Sequence, residues 1–309
     1  MSDNTTTPGR NFKIHPDARI GSVCLNVSDI DRSVEFYETT LGFKRLNSPS
    51  NERVIFSVDG HPSYLVELLQ VSRAEESGFN RYGSETVKRA GLYHFAILLP
   101  ERKYLADMLQ NLSRRGGNIR FDGMADHLVS ESIYIRDPDN IGIEIYCDKP
   151  TFQWKWNGSE VRMATVRLDT EDLLREYTGS AWRDMPSNTI IGHIHLHVRN
   201  LAEAIEYYRD TLGLNHTASY PSAYFFAADR YHHHIATNIW LGPNIQPSSR
   251  YLVGLNHFTF ELPNPEEYQK TLQQLRDYKT EDLSDVQSNG SNCAFFRDKD
   301  GITMKLCTK

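Results

Sequence analysis

The chain has 309 residues, of which 39% are hydrophobic, and a formal net charge of −6 with a pI near 6.1. This length predicts two domains of about 100 to 200 residues each. The acidic balance argues against nucleic acid or an anionic membrane as the main partner, and no apolar run reaches the roughly 18 residues of a transmembrane helix.

The first residues and the cysteines predict the cellular compartment. Residues 1–10 are polar and lack the apolar core of a secretion signal. The chain has four cysteines with no CxxC pair and no close cluster: Cys24, Cys147, Cys293 and Cys307. We therefore expect a reducing, cytoplasmic environment.

Two stretches of the chain are copies of each other. Ile20–Phe43 and Ile191–Leu214 share an apolar opening run, a Glu-aromatic-Tyr phrase and a Leu-Gly phrase. The opening run carries three alternating histidines, at 193, 195 and 197, in the second copy and none in the first. The chemistry of the two copies must therefore differ.

A second pair of repeats interleaves with the first. Leu92–Pro100 matches Leu255–Pro263, and Tyr134–Ile145 matches Phe295–Leu306. The order along the chain is A, B, A′, B′. Four units that average about 70 residues indicate one supersecondary unit copied four times.

Each unit predicts the same elements. An opening strand rich in Val, Ile and Leu leads to a helix that begins after Asp29 or Asn200 and ends at Gly42 or Gly213. Three short extended runs separated by turn residues follow. The pattern therefore predicts βαβββ four times.

These elements divide the chain into six segments. We predict an N-terminal tail at 1–18, units at 19–90, 91–150, 189–250 and 251–309, and a structured linker at 151–188. The linker carries three tryptophans, which is unlike a flexible connection: Trp154, Trp156 and Trp182.

The repeated phrases resemble the vicinal oxygen chelate superfamily of glyoxalases, bleomycin resistance proteins and extradiol dioxygenases. They are Ser33–Tyr37 (SVEFY), Leu41–Phe43 (LGF) and Asp137–Asp139 (DPD). Gly91–Pro100 and Tyr231–Ile235 are also similar to bacterial catechol 2,3-dioxygenase-like ring-cleaving proteins. The resemblance implies an α+β fold, in which four βαβββ modules form two cup-shaped mixed sheets with the helices outside.

The resemblance also implies where metal ligands lie, on the first and last strand of each unit. A non-haem Fe(II) site needs two histidines and one carboxylate on one face. The first-strand positions are Ser22, His94, His193 and His257, and the last-strand positions are Glu67, Glu144, Asn238 and Lys305. We expect Glu67 to be an exposed carboxylate rather than a ligand.

The pairing of the units decides whether a complete site forms. If consecutive units share a cup, one cup has a single histidine and the other lacks a carboxylate. If the two middle units share a cup, His94, His193 and Glu144 come together. Completeness of the ligand set favours the middle pairing, and the sequence leaves both arrangements open.

Further site residues follow from the resemblance. The unit with the carboxylate supplies His127 and Tyr134, which we expect to hydrogen-bond the substrate oxygens and to donate a proton. In the partner unit, strand alternation predicts that His232 and His234 face inward and His233 outward. We predict His234 as the acid–base group.

The resulting functional hypothesis is an extradiol ring-cleaving dioxygenase that chelates a catechol-type substrate and O2 at Fe(II). Mn(II) accepts the same donors. The expected partners are a small aromatic diol and O2, without nucleic acid or membrane. The sequence leaves open which catechol or hydroquinone is cleaved and whether the chain forms a homo-oligomer.

Two alternatives stay open at the level of sequence. A glyoxalase-like lyase or isomerase would use a second carboxylate, such as Glu67 beside Glu144 in a consecutive pairing. A non-catalytic protein would sequester a small molecule, such as an antibiotic, in a metal-free cup.

Overall fold

Two mixed sheets of eight strands dominate the fold, and the predicted α+β class with outer helices is confirmed. The computed structural model describes residues 12–50, 52–60, 64–71, 87–283 and 293–309. None of the described helices combines the length and apolar character that a membrane span requires.

The outer sheet is built from the two ends of the chain. Its spatial order is β16-β17-β18-β15-β1-β4-β3-β2. The strands are β1 (Arg19–Val27), β2 (Lys44–Ser50), β3 (Arg53–Ser57), β4 (Val66–Gln70), β15 (Gly254–Leu262), β16 (Glu281–Asp282), β17 (Cys293–Arg297) and β18 (Thr303–Thr308).

The inner sheet is built from the middle of the chain, in the order β12-β13-β14-β11-β5-β8-β7-β6. Its strands are β5 (Gly91–Leu98), β6 (Arg120–Asp126), β7 (Ser130–Arg136), β8 (Gly142–Asp148), β11 (Ile190–His197), β12 (Asn215–Tyr220), β13 (Ala223–Ala227) and β14 (Ile235–Asn238). A two-stranded ribbon, β9 (Trp156–Asn157) and β10 (Glu160–Val161), lies between β8 and β11 in the chain.

Five α-helices are present among the described residues. They are α1 (Ile30–Glu35), α2 (Arg102–Arg115), α3 (Thr170–Leu174), α4 (Leu201–Ile205) and α5 (Pro265–Asp277). Short 3-10 turns occupy Gly116–Asn118 and Thr151–Gln153.

The sheets join the repeats non-consecutively. The central strands of the inner sheet, β5 and β11, pair antiparallel, as do β1 and β15 in the outer sheet. The two middle repeats therefore share one sheet, and the consecutive pairing is wrong. The residue boundaries of the units stay predictions.

Strand alternation separates an apolar face from a polar face. On β11, Ile194 and Leu196 belong to the apolar core, whereas His193 and His195 point to the opposite face. On β1, Val23 and Leu25 lie in the core and Cys24 points the other way. The polar face of the inner sheet is the one that can hold a site.

The predicted helix boundaries follow from capping. The side chain of Asp29 accepts a hydrogen bond from the backbone N–H of Arg32, and Asn200 accepts one from Ala202. Gly42 adopts a left-handed conformation, with φ at +86°. Both capped helices continue as π-helical turns, over Phe36–Leu41 and Glu206–Thr211, which the sequence pattern did not predict.

Consecutive repeats contact each other through a tyrosine and an aspartate. The hydroxyl of Tyr37 donates to Asp137 at 3.3 Å, and that of Tyr208 donates to Asp298 at 2.8 Å. Burial raises the pKa of Asp137 and of Asp298 to about 7. The repeated SVEFY and DPD phrases thus supply contacts between sheets as well as elements within them.

The cysteines differ from expectation. Cys293 and Cys307, opposite each other on β17 and β18, form a disulfide. Cys24 and Cys147 are free and buried. The sequence separation of 14 residues hid the pair, because only the antiparallel register brings the two residues together.

We predict that Gly142→Ala destabilises the fold. A Cβ at this position, the first residue of β8, would lie 2.2 Å from the backbone oxygen of Tyr93, which cannot move without shifting β5. The free energy of unfolding measured with urea should fall by about 1–3 kcal/mol. Gly117→Ala, where nothing lies within 4 Å of the new Cβ, is the matched control. Equal stability of the two variants would contradict the prediction.

Candidate metal centre

Three neighbouring strands of the inner sheet place His193, Ala96 and Glu144 in one row. His193 on β11 lies opposite Ala96 on β5, and Glu144 on β8 lies on the other side of Ala96. The methyl group of Ala96 leaves space above the central strand. His94, two residues earlier on β5, shares the face of Ala96. The register therefore directs both imidazoles and the carboxylate to one point.

The side chains of His94 and His193 both point to one carboxylate oxygen of Glu144. Glu144 Oε2 lies 3.0 Å from His94 Nε2 and 3.1 Å from His193 Nε2. All three residues are buried. Apart from this contact with Glu144, His94 Nε2 makes no hydrogen bond to any described residue. Two imidazole nitrogens and a carboxylate oxygen within this distance form a donor set for a divalent metal.

The protonation states suit metal binding. Although burial opposes ionisation, His193 and His94 lower the pKa of Glu144 well below its usual value. Burial lowers the pKa of His193 to about 4. At neutral pH the carboxylate is therefore ionised and the His193 ring is neutral, which are the forms that bind metals.

A serine orients the carboxylate from behind. Ser132 on β7, which pairs with β8, donates its hydroxyl to Glu144 Oε1 at 2.6 Å. Oε2 is thereby left for the two histidines. Hydrogen bonds of this kind to a ligand fix its rotamer.

His127 and Tyr134 form a hydrogen-bonded pair beside these donors. His127 Nδ1 lies 2.9 Å from the carbonyl oxygen of Ala164, which only accepts, so this nitrogen carries the proton of the neutral ring. His127 Nε2 accordingly accepts from the Tyr134 hydroxyl at 2.6 Å. Burial and the charge of Glu144 raise the pKa of Tyr134 well above its usual value. Tyr134 therefore stays protonated.

A cavity of about 320 Å³ opens onto these groups. His94, His127, Tyr134 and Glu144 all line it, and the partner strands add His195 and His233. Aromatic rings form much of the remaining wall: Tyr93, Phe225 and Trp240. The combination of an apolar wall and a few convergent polar groups is typical of a small-molecule site.

The prediction for the histidine run 232–234 is wrong in its directions. His233, expected to face outward, lines the cavity, and its ring centre lies 4.1 Å from that of His193. His234 instead packs against Tyr231 and Phe260, and its Nδ1 accepts from the backbone N–H of Ala228. Because β14 begins only at Ile235, the three histidines lie in the loop between β13 and β14, where strand alternation does not apply.

His232 lies behind the cavity wall rather than in it. Its side chain is fully buried, with Nδ1 2.7 Å from His233 Nδ1 and Nε2 3.0 Å from Asp148 Oδ1. His232 therefore has no direct path to a molecule in the cavity, and it contacts His233 from behind.

His195 lines the cavity but is not placed as a ligand. Its Nε2 lies 3.0 Å from the amide nitrogen of Asn238, which can only donate, so the lone pair of Nε2 is already used. Asn238 is held in this orientation because its Oδ1 accepts from the backbone N–H of Trp240. Asn238 thus supports His195 and His197 rather than filling a fourth position beside Glu144.

The outer sheet lacks the same donor set. In the corresponding row, Ser22 and Lys305 flank Thr259, and Ser22 donates its hydroxyl to Thr259 at 2.9 Å. Lys305 thus stands where the inner sheet has Glu144. A cationic side chain at this point opposes a metal ion.

Glu67 differs from the sequence prediction, because it is buried rather than exposed. It is only 5% exposed, and its Oε1 accepts from Arg53 Nε at 2.5 Å. Cys24, Glu67 and His257 do lie close together on the outer sheet. The guanidinium of Arg53 neutralises the carboxylate there.

Several residues around the centre were missed by the sequence reasoning. His233, Asp148 and Tyr231 depend on contacts between strands far apart in the chain. Tyr93 and Trp240 form a ring cluster with His195, with ring centres 5.1–5.5 Å apart. Aromatic residues stand next to several of these histidines in the sequence, and this was the signal from which the ring cluster could have been predicted.

We predict that His257 makes stability depend on pH. Burial, with the positive charge of Lys305, lowers the pKa of His257 to about 3, whereas the unfolded ring titrates near about 6.5. The neutral His257 ring therefore costs no stability above about pH 6.5, and the free energy of unfolding decreases as the pH falls from there toward 3. When the pH is lowered from 7 to 5, the free energy of unfolding should fall by about 2 kcal/mol less in His257→Gln than in the unaltered protein.

Urea titrations of EDTA-treated protein at both pH values measure this difference. His15→Gln, which removes a partly exposed histidine, is the control. An identical loss in the His257 variant and in the unaltered protein would refute the assignment.

Comparison with known proteins gives the same family as the sequence phrases. The model of the Glyoxalase/Bleomycin resistance protein/Dioxygenase superfamily matches residues 19–145 and 190–306. A catechol-2,3-dioxygenase of Bacillus subtilis (strain 168) is 39% identical over 266 residues, 82% of this chain and 86% of the relative. A biphenyl-2,3-diol 1,2-dioxygenase 3 of Rhodococcus globerulus is 28% identical over 38% of this chain and 61% of its own.

Solved structures share the fold at low sequence identity. A dioxygenase candidate from Bacillus subtilis aligns with a TM-score of 0.62 at 12% identity, covering 96% of this chain and 86% of the other. Glyoxalase I from Zea mays aligns with a TM-score of 0.53 at 16% identity, covering 94% and 92%. From the family match, the relatives and the fold together, the chain belongs to the glyoxalase/bleomycin resistance protein/dioxygenase superfamily.

Proposed function

We propose that the protein is an extradiol dioxygenase that cleaves a catechol-type ring with O2 at an Fe(II) held by His94, His193 and Glu144. The observation that carries this proposal is the convergence of two histidine Nε2 atoms on one oxygen of Glu144 at the cavity. The 39% identity to a protein named catechol-2,3-dioxygenase supports the same reaction class.

The donor set fits a non-haem iron. Two imidazoles and one carboxylate leave positions open for substrate and O2, and Mn(II) takes the same donors. The buried Nε2 of His94 faces Glu144 at 3.0 Å and makes no hydrogen bond to any other described residue, so no other group of the described chain competes for this nitrogen. Bound Fe(II) would supply Lewis acidity toward the diol and redox chemistry toward O2.

The residues of the cavity supply the acid–base chemistry. Two histidines face the cavity from the partner strands, His195 and His233. Because Nε2 of His195 already accepts from Asn238, we assign His233 the role of accepting a proton from a substrate hydroxyl. Tyr134 directs its proton toward His127, so its oxygen accepts a hydrogen bond from the substrate and the pair can return a proton as the ring opens. These roles replace the one first predicted for His234.

The aromatic wall orients the substrate ring. Tyr93, Phe225 and Trp240 line the cavity beside the polar groups. Ring contacts of this kind bury an aromatic substrate and exclude water from the reacting face. A volume of about 320 Å³ lies at the small end of ligand cavities, which suits a single-ring diol.

The lyase alternative loses its structural basis. It required Glu67 as a second carboxylate beside Glu144. Glu67 lies on the outer sheet and is paired with Arg53, so it cannot reach the cavity donors.

Metal content and oxygen uptake test the proposal. Protein purified without oxygen should contain near-stoichiometric iron, consume O2 when catechol is added and form a yellow ring-opened product. His94→Ala and His193→Ala should lose bound iron and O2 uptake together, because each removes one of three ligands.

His257→Ala is the matched control, because His257 occupies the corresponding repeat position in the outer sheet. It should retain iron and activity. Zinc or nickel without O2 uptake would refute the dioxygenase, and protein unable to bind any metal would favour a sequestering protein instead.

A second pair of variants tests which histidine, His233 or His234, is the general base. His233→Ala should lower kcat by about 10²–10⁴-fold while iron content stays the same, since a general base contributes this much. His234→Ala opens space near Phe260 and should reduce stability more than kcat per folded molecule. If His234→Ala abolished turnover in folded, iron-loaded protein and His233→Ala did not, the assignment would be reversed.

A further inference from the structure

A chain of hydrogen bonds runs from Asp148 to the cavity through two adjacent histidines. Asp148 is the last residue of β8, on the same face as Glu144. Its Oδ1 lies 3.0 Å from His232 Nε2, and His232 Nδ1 lies 2.7 Å from His233 Nδ1. His233 Nε2, the remaining nitrogen, makes no hydrogen bond to any described residue, and His233 lines the cavity.

The protons in this chain follow from the chemistry of the groups. An ionised carboxylate only accepts hydrogen bonds, so His232 Nε2 must carry a hydrogen. The 2.7 Å contact between the two Nδ1 atoms needs one donor and one acceptor. In the His232 tautomer whose single N–H is on Nε2, Nδ1 is the acceptor and His233 Nδ1 donates to it. The neutral His233 ring then has a bare lone pair on Nε2, the nitrogen left for the cavity.

Neighbouring groups hold the carboxylate in place. Asp148 Oδ2 accepts from the Tyr231 hydroxyl at 2.9 Å, and the Tyr231 oxygen lies 2.8 Å from the Tyr146 hydroxyl. Both oxygens of Asp148 are therefore committed. The ring of His232 is enclosed by Tyr231 and Trp154, with ring centres 4.1 and 5.4 Å away, so it cannot turn to offer the other nitrogen.

We propose that Asp148 is a positioning residue that, through His232, fixes the tautomer of His233 so that Nε2 faces the substrate as a proton acceptor. The proposal rests on the proposed dioxygenase function for its chemical purpose. Its structural content, the tautomer of His233, can be measured without turnover. A carboxylate that sets an imidazole tautomer acts on kcat rather than on ligand binding.

Nitrogen-15 NMR of metal-free protein with labelled histidines tests the tautomer directly. His232→Gln and His233→Gln assign the signals. In the unaltered protein, His233 should show a protonated Nδ1 and an unprotonated Nε2, and His232 the reverse. A protonated His233 Nε2 in the unaltered protein would overturn the proposal by itself.

Asp148→Asn tests the cause, because an amide can donate to His232 and release the tautomer. We expect His233 Nε2 to become protonated in a measurable fraction, and kcat with catechol to fall at least about 100-fold, while KM changes less than about threefold. Asp107→Asn is the control, since Asp107 is also a buried carboxylate but binds Thr178, away from the cavity. An unchanged tautomer and kcat in Asp148→Asn would refute the role.

A second variant covers the case of a misfolded Asp148→Asn. Tyr231→Phe removes one hydrogen bond to the carboxylate and keeps its charge, so a smaller shift in the same direction is expected, and no shift would count against the proposal. If unaltered, iron-loaded protein fails to consume O2, the dioxygenase is refuted, while the NMR result still decides the tautomer.

Discussion

The register between β5 and β11 is the constraint on which the site depends. These strands pair at the centre of the inner sheet, with a shift in register between Ile191 and His193. This shift sets His193 across from Ala96, the residue that Glu144 flanks from β8. A side chain larger than Ala96 would fill the space in which the ligand atoms meet. The same arrangement in the outer sheet holds Thr259 between a serine and a lysine, so this row does not supply a histidine and a carboxylate as the inner row does.

Burial and polarity work together at the centre. Removing Glu144 from water opposes its ionisation, but the two imidazoles and Ser132 compensate by contacts to both oxygens. Two of the histidines that line the cavity, His195 and His233, are kept neutral by burial, which lowers the pKa of each well below its usual value. A neutral imidazole offers a lone pair to a metal ion or to a proton, which a charged imidazolium does not.

Much of the fold and part of the candidate site could be predicted from the sequence. The repeats predicted the four sets of elements. The superfamily resemblance, applied to matching positions of the repeats, implied His94, His193 and Glu144 as candidate ligands. The α+β fold and the superfamily resemblance were confirmed. Pairing of the repeats could only be chosen by asking which arrangement completes a ligand set.

The errors arose where the local sequence pattern does not determine which way a side chain points. Strand alternation was applied to the run 232–234, but this run lies in the loop between β13 and β14, and the residue that lines the cavity is His233. Glu67 was expected at the surface because a glutamate alone carries no sign of its partner, and Arg53 lies 14 residues away. The disulfide and the contact between Asp148 and Tyr231 depend on strand register and packing, which the spacing of residues in the sequence does not predict.

The order of the repeats in the two sheets has a consequence for assembly. All strands of the inner sheet come from one continuous stretch of chain, residues 91–238, whereas the outer sheet must join β1 to β15 across that stretch. The inner sheet is thus nested within the outer one, like a domain inserted into a host. A nascent chain can complete the sheet that carries the candidate metal centre before the last repeat is synthesised, while its first repeat waits for β15 and β18. Loop closure over more than 200 residues is slow and entropically costly, so the closing of the outer sheet is expected to be the late step of folding.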